Sequence, residues 1–309
     1  MENNINKNNA IPRFDWQDLS SEGAYSAWKN AKNKIFEDMN AALPITVESL
    51  NSAGSDSIRR IKNQCQLVNF SVFQVADLPA SPEVAAKDLQ SFAANFGLSI
   101  REDHRSAGED GVVALKTTSA KKQRGYIPYT PRALNWHTDG YYNDADNRVE
   151  AFALYCHAPA QEGGVNQLLD PEIAYLRMRD ENPDYVRAFM HPRAMTIPAN
   201  TEDNGQVRPA SIGPVFYANK ATGRLQMRYT ARTRSIEWRD DGATLEAAAW
   251  MREWLGAGDA LMVQRRLKAG EGVLNNNVLH NRTSFVDDPA NGNQRIMMRA
   301  RFHDRISED

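Results

Sequence analysis

Apolar residues return at helical spacing in several stretches of this chain. Between Trp16 and Met39 they recur every three or four residues and Pro44 follows, which predicts one or two N-terminal helices. Proline fits the first turn of a helix, so Pro82 and Pro171 open two further predicted helices, over residues 82–96 and 171–179. The stretch 243–255 has apolar residues at i, i+3, i+4, i+7 and i+8 and predicts a late helix.

Short runs of β-branched and aromatic residues, separated by Gly, Pro and Asn, predict short strands, about eight of them from ten candidate runs. The candidate runs are residues 67–75, 112–116, 149–157, 165–169, 195–198, 215–218, 225–231, 261–263, 272–280 and 296–302. Residues 52–57 look like a loop. Since no repeat or shift in composition marks a boundary, we expect one mainly β domain with helical decoration (α+β) over residues 11–309. It would carry N-terminal helices and a helical insertion around 171–255, after a disordered tail over residues 1–10.

The composition is that of an ordinary globular protein with little net charge. The 309 residues include 37 Lys and Arg against 39 Asp and Glu, a net charge of −2, so we expect no nucleic acid partner. The apolar run 151–156 is far shorter than the about 20 residues of a membrane helix, so we expect no membrane association. The two cysteines lack CxxC spacing, which favours a reducing compartment and a cytoplasmic protein. Homo-oligomer formation stays open.

A histidine and a carboxylate stand two positions apart in the run Asn135-Trp136-His137-Thr138-Asp139-Gly140. If this run is extended, both side chains lie on one face, because alternate residues of a strand do. His280, at the end of the candidate strand 272–280, would add a third ligand from another strand. Two histidines and one carboxylate leave three positions open on a metal, which suits non-haem Fe(II) that activates O2. Each residue taken alone is also compatible with an ordinary core or surface side chain.

The candidate strand over residues 296–302 alternates in chemistry. One face holds Ile296, Met298, Ala300 and Phe302, and the other holds Arg295, Met297, Arg299 and Arg301. Two interpretations stay open here. The first is a half-exposed strand with a solvated basic face. The second is an anion pocket inside a barrel, because a guanidinium pairs with a carboxylate in two-point geometry.

Taken together, these segments resemble a known family. The segments 135–140, Glu162-Gly163-Gly164-Val165-Asn166, His280 and 295–299 are similar, in order and spacing, to the successive motifs of the taurine dioxygenase and clavaminate synthase-like superfamily of Fe(II)/2-oxoglutarate oxygenases. The resemblance covers roughly residues 132–302. It implies a double-stranded β-helix, the jelly-roll form, in which the ligands project into the mouth of the barrel.

The resemblance also implies roles for individual residues. His137, Asp139 and His280 would bind iron. Arg295 would pair with the distal carboxylate of 2-oxoglutarate. Arg299 falls where taurine dioxygenase-like enzymes place an arginine that contacts an anionic substrate.

At one position this sequence departs from the family pattern. The family usually has a Thr or Ser after the two glycines, and its hydroxyl reaches 2-oxoglutarate. This sequence has Asn166 there, whose amide can also donate a hydrogen bond. Tyr141, which closely follows the His137 motif, is expected to line the substrate pocket.

The function that the resemblance implies is oxidation, by default hydroxylation, of a small anionic organic substrate. Fe(II) would be the metal, 2-oxoglutarate and O2 the co-substrates, and succinate and CO2 the released products. A Zn-dependent hydrolase is one alternative, since two histidines and an aspartate also make a catalytic zinc site, although a hydrolase has no need for Arg295. A non-catalytic small-molecule-binding jelly roll is the other. A halogenase is disfavoured because Asp139 fills the position that chloride would need.

Overall fold

The computed structural model describes residues 11–12, 14–38, 41, 43–102, 112–117, 127–201, 205 and 207–307. The predicted tail over residues 1–10 lies outside the described residues. Helices and many short strands occur together, so the fold is mixed α/β. Among the helices in the described ranges, none has the length and hydrophobicity needed to cross a membrane.

Six α-helices and two 3-10 helices occur in the described residues. They are α1 (Glu22–Asp38), α2 (Ser55–Val68), α3 (Pro82–Ala94), α4 (Pro171–Glu181), α5 (Pro183–Phe189) and α6 (Gly242–Ala257), with 3-10 turns at Ile127–Tyr129 and Pro289–Asn291. Side chains cap four of the starts: Ser81 before α3, Asp170 before α4, Asn182 before α5 and Asp241 before α6 each accept a hydrogen bond from a first-turn N–H. The four helices that the sequence predicts are confirmed, with shifted ends.

The strands are short and more numerous than the sequence predicts. They are β1 (Ile45–Val47), β2 (Phe70–Val75), β3 (Val112–Leu115), β4 (Leu134–His137), β5 (Ala151–Ala158), β6 (Glu162–Gly163), β7 (Asn166–Leu169), β8 (Met195–Ile197), β9 (Asn200–Thr201), β10 (Val207–Arg208), β11 (Ser211–Gly213), β12 (Phe216–Ala218), β13 (Leu225–Met227), β14 (Glu237–Trp238), β15 (Val263–Arg265), β16 (Glu271–Asn275), β17 (Leu279–Arg282), β18 (Phe285–Val286) and β19 (Ile296–Phe302). Seven of them, β8 to β14, lie between α5 and α6, so the segment expected as a helical insertion also holds several small strands.

The larger sheet has six strands in the order β1-β2-β16-β5-β19-β3. β1 and β2 run parallel, and the other neighbours run antiparallel. Met298, Ala300 and Phe302 of β19 share a hydrophobic cluster with residues of α2 and α3. The apolar face predicted for β19 therefore packs against these two helices.

The smaller sheet has four antiparallel strands in the order β15-β7-β17-β4. Leu168 of this sheet belongs to the same cluster as Val72, Cys156 and Met297 of the larger sheet, so the two sheets face each other across a shared core. Leu169 and the helices α4 to α6 form a further cluster on the other face. The remaining sheets are β11-β8-β14, β12-β13, β9-β10 and β6-β18.

The expectation of a loop over 52–57 and a strand from residue 67 is wrong, because α2 runs from Ser55 to Val68. Its buried residues Ile61, Gln64, Cys65 and Val68 follow the helical period, but the segment contains few apolar residues from which that period can be recognised. The helix ends where Asn69 adopts a left-handed conformation, with φ of 64°. Asparagine tolerates that conformation better than most residues, and the chain turns there into β2.

The candidate strand over 272–280 is in fact two strands in different sheets. β16 ends at Asn275 in the larger sheet, and β17 begins at Leu279 in the smaller one. Between them, Asn277 has φ of 51°, a left-handed conformation that interrupts the first ladder. The chain therefore crosses from one sheet to the other immediately before His280.

A buried ionic cluster joins α1 to the start of α4. Lys32 Nζ lies 2.6 Å from Asp170 Oδ2 and 2.7 Å from Glu172 Oε2, and all three side chains are buried. Lys32 also donates to the carbonyl of Leu67 in α2 at 2.6 Å. Asp170 accepts a further hydrogen bond from Asn69 at 2.8 Å. One cation thus connects three helices near the strand-to-helix junction after β7.

We expect Lys32→Met to lower the free energy of unfolding by about 3–5 kcal/mol, because two buried carboxylates lose their cation. The matched control is Lys29→Met on the same helix, which removes a partly exposed ion pair with Asp180 and should cost at most about 1 kcal/mol. Urea unfolding measures both variants. If both variants lose the same free energy of unfolding, the buried Lys32 cluster contributes no more to stability than the partly exposed ion pair of Lys29.

Candidate metal centre

Two histidines face each other across paired strands. His137 ends β4 and is the register partner of His280 on β17. The ring centroids lie 4.2 Å apart, since directly paired residues project to the same side of a sheet. Phe152 of the larger sheet packs on the His280 ring at 4.8 Å. The two rings therefore meet between the two sheets.

Backbone carbonyls fix the tautomer of both rings. His137 Nδ1 lies 2.8 Å from the carbonyl oxygen of Asn135, and His280 Nδ1 lies 2.9 Å from that of Val278. A carbonyl oxygen only accepts hydrogen bonds, so each Nδ1 carries a proton and Nε2 is the nitrogen that each ring can offer to a metal. Burial and the neighbouring His137 lower the pKa of His280 to about 3, so this ring is neutral. A neutral imidazole held in this way is the form that binds a metal.

Asp139 joins the two histidines from a turn. β4 ends at His137, so the expectation of an extended run through Asp139 is wrong. Asp139 Oδ1 nevertheless lies 3.5 Å from His137 Nε2 and 3.9 Å from His280 Nε2. The ligand atoms of the three residues lie within 4.8 Å of one another, and they form the one such group found among the described residues.

Asn277 holds the backbone of Asp139 in this turn. Its Oδ1 accepts a hydrogen bond from the Asp139 N–H at 2.8 Å, and its Nδ2 donates to the carbonyls of Asp139 and Val149 at 3.0 and 2.6 Å. The next residue, Gly140, has φ of 64°, and a Cβ there would lie 2.5 Å from Val149 Cγ2, so the turn requires glycine. Sequence analysis missed Asn277. The available signal was the run of three asparagines that interrupts an apolar strand before His280.

The basic face of β19 is buried. Arg295, Arg299 and Arg301 are only 5%, 8% and 5% exposed, so the solvated basic face is excluded. Arg301 forms an ion pair with Glu102 and donates to the Tyr142 hydroxyl at 3.2 Å. The arginine face of β19 therefore lies in the interior, and its role as an anion pocket stays a prediction.

Arg299 contacts the carboxylate of Asp139. Its Nη1 lies 3.3 Å from Oδ1 and 3.2 Å from Oδ2. Burial alone would raise the pKa of Asp139, but the nearby positive charges, first that of Arg299 and then that of Arg301, hold that pKa well below its usual value. Asp139 is therefore ionised, as a metal-ligating carboxylate must be.

Arg295 is buried and has no acidic ion-pair partner among the described residues. Its guanidinium lies over the Phe285 ring, 5.1 Å from the centroid, and its backbone N–H donates to Asp287 at 2.9 Å. Burial lowers the pKa of Arg295 to about 10. In contrast to Arg299 and Arg301, its guanidinium forms no ion pair within the described part of the chain.

A small pocket opens beside Arg295. Its lining comprises Cys156, Pro159, Ala160, Gly163, Gly164, Asn166, Arg266, Leu267, Arg295 and Met297. The pocket thus contains both residues that the family resemblance relates to 2-oxoglutarate, Arg295 and Asn166. The double-glycine motif forms its wall, and a Cβ on Gly163 would lie 2.2 Å from the Ser284 carbonyl oxygen, where β6 pairs with β18.

Tyr141 lies beside the candidate metal ligands. Its ring meets the His137 ring edge to face, with centroids 6.4 Å apart, and the Arg232 guanidinium lies 5.7 Å from its centroid. Its carbonyl accepts a hydrogen bond from Arg228 Nε at 2.7 Å. The structure therefore brings Tyr141 to the site, while its contact with a substrate stays a prediction.

The model of one protein family, described as taurine catabolism dioxygenase TauD, TfdA family, matches residues 34–301. This chain belongs to the TauD/TfdA family. Enzymes of this family are non-haem Fe(II)/2-oxoglutarate-dependent oxygenases, which confirms the enzyme class and the cofactors that the motifs imply. A search of curated proteins finds no match.

Solved structures of such oxygenases share the fold. Asparagine oxygenase in complex with Fe(II), 2S,3S-3-hydroxyasparagine and succinate is 14% identical with a TM-score of 0.57, over 96% of this chain and 92% of that chain. The non-haem iron oxygenase OrfP in complex with Fe is 14% identical with a TM-score of 0.57, over 82% and 79%. PvcB from Pseudomonas aeruginosa is 12% identical with a TM-score of 0.55, over 85% and 88%. At such low identity the similarity shows the fold alone.

Proposed function

We propose that this member of the TauD/TfdA family is a dioxygenase that hydroxylates a small anionic organic compound and releases succinate and CO2. One observation carries the proposal: two imidazoles and an ionised carboxylate converge in an interior that also holds a buried arginine without an acidic ion-pair partner among the described residues. We also propose that the two facing sheets are the halves of a double-stranded β-helix, in one oxygenase domain over residues 11–309.

The donor set fits Fe(II). His137 and His280 would each provide Nε2 and Asp139 a carboxylate oxygen, an arrangement that leaves three positions open on the metal. Bound iron would supply the activation of O2 at the expense of 2-oxoglutarate. The same donors would accept zinc. Family membership and the unpaired Arg295 favour the oxygenase over the hydrolase alternative, and no observation favours a non-catalytic binding protein.

Arg295 would bind the distal carboxylate of 2-oxoglutarate. A buried cation is costly unless it is paired, and a guanidinium can pair with a carboxylate through two parallel hydrogen bonds. The Phe285 ring, with its centroid 5.1 Å from the guanidinium carbon, packs against the group that would receive the carboxylate. Asn166 lies in the same pocket, and its Nδ2 has only a long contact of 3.5 Å with the Gly164 carbonyl, so the amide is available to the co-substrate.

The charges around the metal ligands support an anionic substrate. Asp139 and Glu102 offset Arg299 and Arg301. The charges of a divalent metal and a dianionic co-substrate would also cancel each other. The positive charge of Arg295 is then left over in the sum of these charges. Arg299 Nε is buried and has no hydrogen-bond partner among the described residues, so we propose that this N–H meets the anionic group of the substrate. Tyr141 would form an aromatic wall of the same space.

Purified protein supplied with Fe(II), 2-oxoglutarate and O2 should form succinate slowly without a substrate. His137→Ala, Asp139→Ala and His280→Ala should each abolish this activity, because each removes one of three metal ligands. His191→Ala is the matched control and should keep the wild-type rate, since His191 lies outside the group of ligands. Succinate is measured directly, and folding is checked by circular dichroism. Wild-type turnover in any folded ligand variant would refute the assignment.

Arg295→Ala should raise the 2-oxoglutarate concentration needed for half-maximal succinate formation at least about a hundredfold. Loss of one partner of a buried ion pair costs about 3–5 kcal/mol, and each tenfold change in affinity corresponds to about 1.4 kcal/mol. Arg295→Lys should rescue poorly, because an ammonium cannot form the two-point contact. The control Arg187→Ala removes an exposed ion pair with Asp184 and should leave the curve unchanged. A near-wild-type curve for Arg295→Ala would exclude Arg295 from the co-substrate site.

A further inference from the structure

Arg299 contacts a candidate metal ligand directly, whereas the family resemblance relates this position only to the substrate. A single nitrogen, Nη1, lies within 3.3 Å of both carboxylate oxygens of Asp139. The Arg299 side chain is almost fully buried. This contact therefore exists in the protein before any substrate is bound.

The backbone of Arg299 lies within a sheet, whereas that of Asp139 lies in a turn. Arg299 lies within β19, between β5 and β3, with Leu154 and Val113 as its register partners. Asp139 lies in a turn, where Asn277 holds its backbone but forms no hydrogen bond with its carboxylate in the described structure. The direction of the carboxylate thus depends on the strand residue that it meets.

We propose that Arg299 is a positioning residue for the metal centre: it anchors the Asp139 carboxylate beside the two imidazoles. The inference rests on the proposed function, because it takes His137, Asp139 and His280 as metal ligands. Groups that hold a ligand in place typically contribute a factor of about 10–100 to metal affinity.

The alternative is that Arg299 acts on the metal only through its charge. The two hypotheses predict opposite changes in metal affinity when Arg299 is replaced. A positive charge near the site repels a divalent cation, so its removal would then raise metal affinity. If Arg299 positions Asp139, its removal frees the carboxylate to rotate, and metal affinity falls. The direction of the change therefore separates the two roles.

The experiment is calorimetric titration of the metal-free protein with Co(II), in the absence of 2-oxoglutarate, substrate and O2. We expect Arg299→Met to weaken Co(II) binding at least about tenfold. Arg299→Lys should also weaken it, since a lysine keeps the charge but loses the planar fork. The matched control Arg177→Met breaks an Arg–Asp ion pair outside the site, in which Nε lies 2.7 Å from Asp259, and should leave Co(II) affinity unchanged.

A double-mutant cycle with Asp139→Asn excludes a general structural effect. If Arg299 acts through the Asp139 carboxylate, Arg299→Met should have little further effect on Co(II) affinity in the Asp139→Asn background. Should Arg299→Met fail to fold, the same cycle with Arg299→Lys decides the question. Unchanged or tighter Co(II) binding by the folded Arg299 variants would overturn the proposal.

Failure of the proposed function would have a different signature. In that case, wild-type protein would fail to bind Co(II), or His137→Ala would bind Co(II) as tightly as the wild type. Alternatively, wild-type protein would bind the metal but form no succinate when Fe(II), 2-oxoglutarate and O2 are supplied. If wild-type protein passes both tests but the Arg299 variants bind Co(II) normally, the positioning role of Arg299 is rejected and the proposed oxygenase function is retained.

Discussion

The candidate metal centre depends on the break between β16 and β17 at Asn277. Its left-handed backbone takes the chain from the larger sheet to the smaller one, which sets His280 directly opposite His137. Its side chain forms three hydrogen bonds that hold the turn containing Asp139. One asparagine thus fixes the strand that carries one candidate ligand and the turn that carries another. A side chain without both a donor and an acceptor would leave buried backbone groups unpaired, at a cost of about 1–3 kcal/mol each.

The interior between the sheets is organised by buried charge as well as by apolar packing. On β19, one face packs on α2 and α3 through apolar side chains, and the other points three arginines inward. Two of these form ion pairs, Arg301 with Glu102 and Arg299 with Asp139, whereas Arg295 has no such partner among the described residues. A buried cation without a counter-ion lowers stability, and the proposed pairing of Arg295 with a dianionic co-substrate would remove this cost. The proposals therefore assign Arg299 to the carboxylate that it contacts and Arg295 to the co-substrate.

Much of the site could be predicted from the sequence, and less of the fold. Local patterns were sufficient for the helices that begin at Pro82 and Pro171 and for the alternation of β19, because these depend on neighbouring residues, whereas α5, which begins at Pro183, was not predicted. The loss of the strand ladder after His137, the crossing at Asn277 and the pairing of Arg301 with Glu102 depend on contacts between segments far apart in the chain. The helix α2 was missed because only a few apolar residues mark its helical period in the sequence. The convergence of His137, Asp139 and His280 was predictable through family motifs, whereas the contact of Arg299 with Asp139 required the register of the strands.

The most direct test of the metal and co-substrate assignment is electron density from crystals soaked anaerobically with Fe(II) and 2-oxoglutarate. We expect one metal bound by Nε2 of His137, Nε2 of His280 and the Asp139 carboxylate. The distal carboxylate of 2-oxoglutarate should pair with Arg295 in the pocket that contains Asn166. Metal bound at other residues, or 2-oxoglutarate with its distal carboxylate away from Arg295, would contradict the assignment.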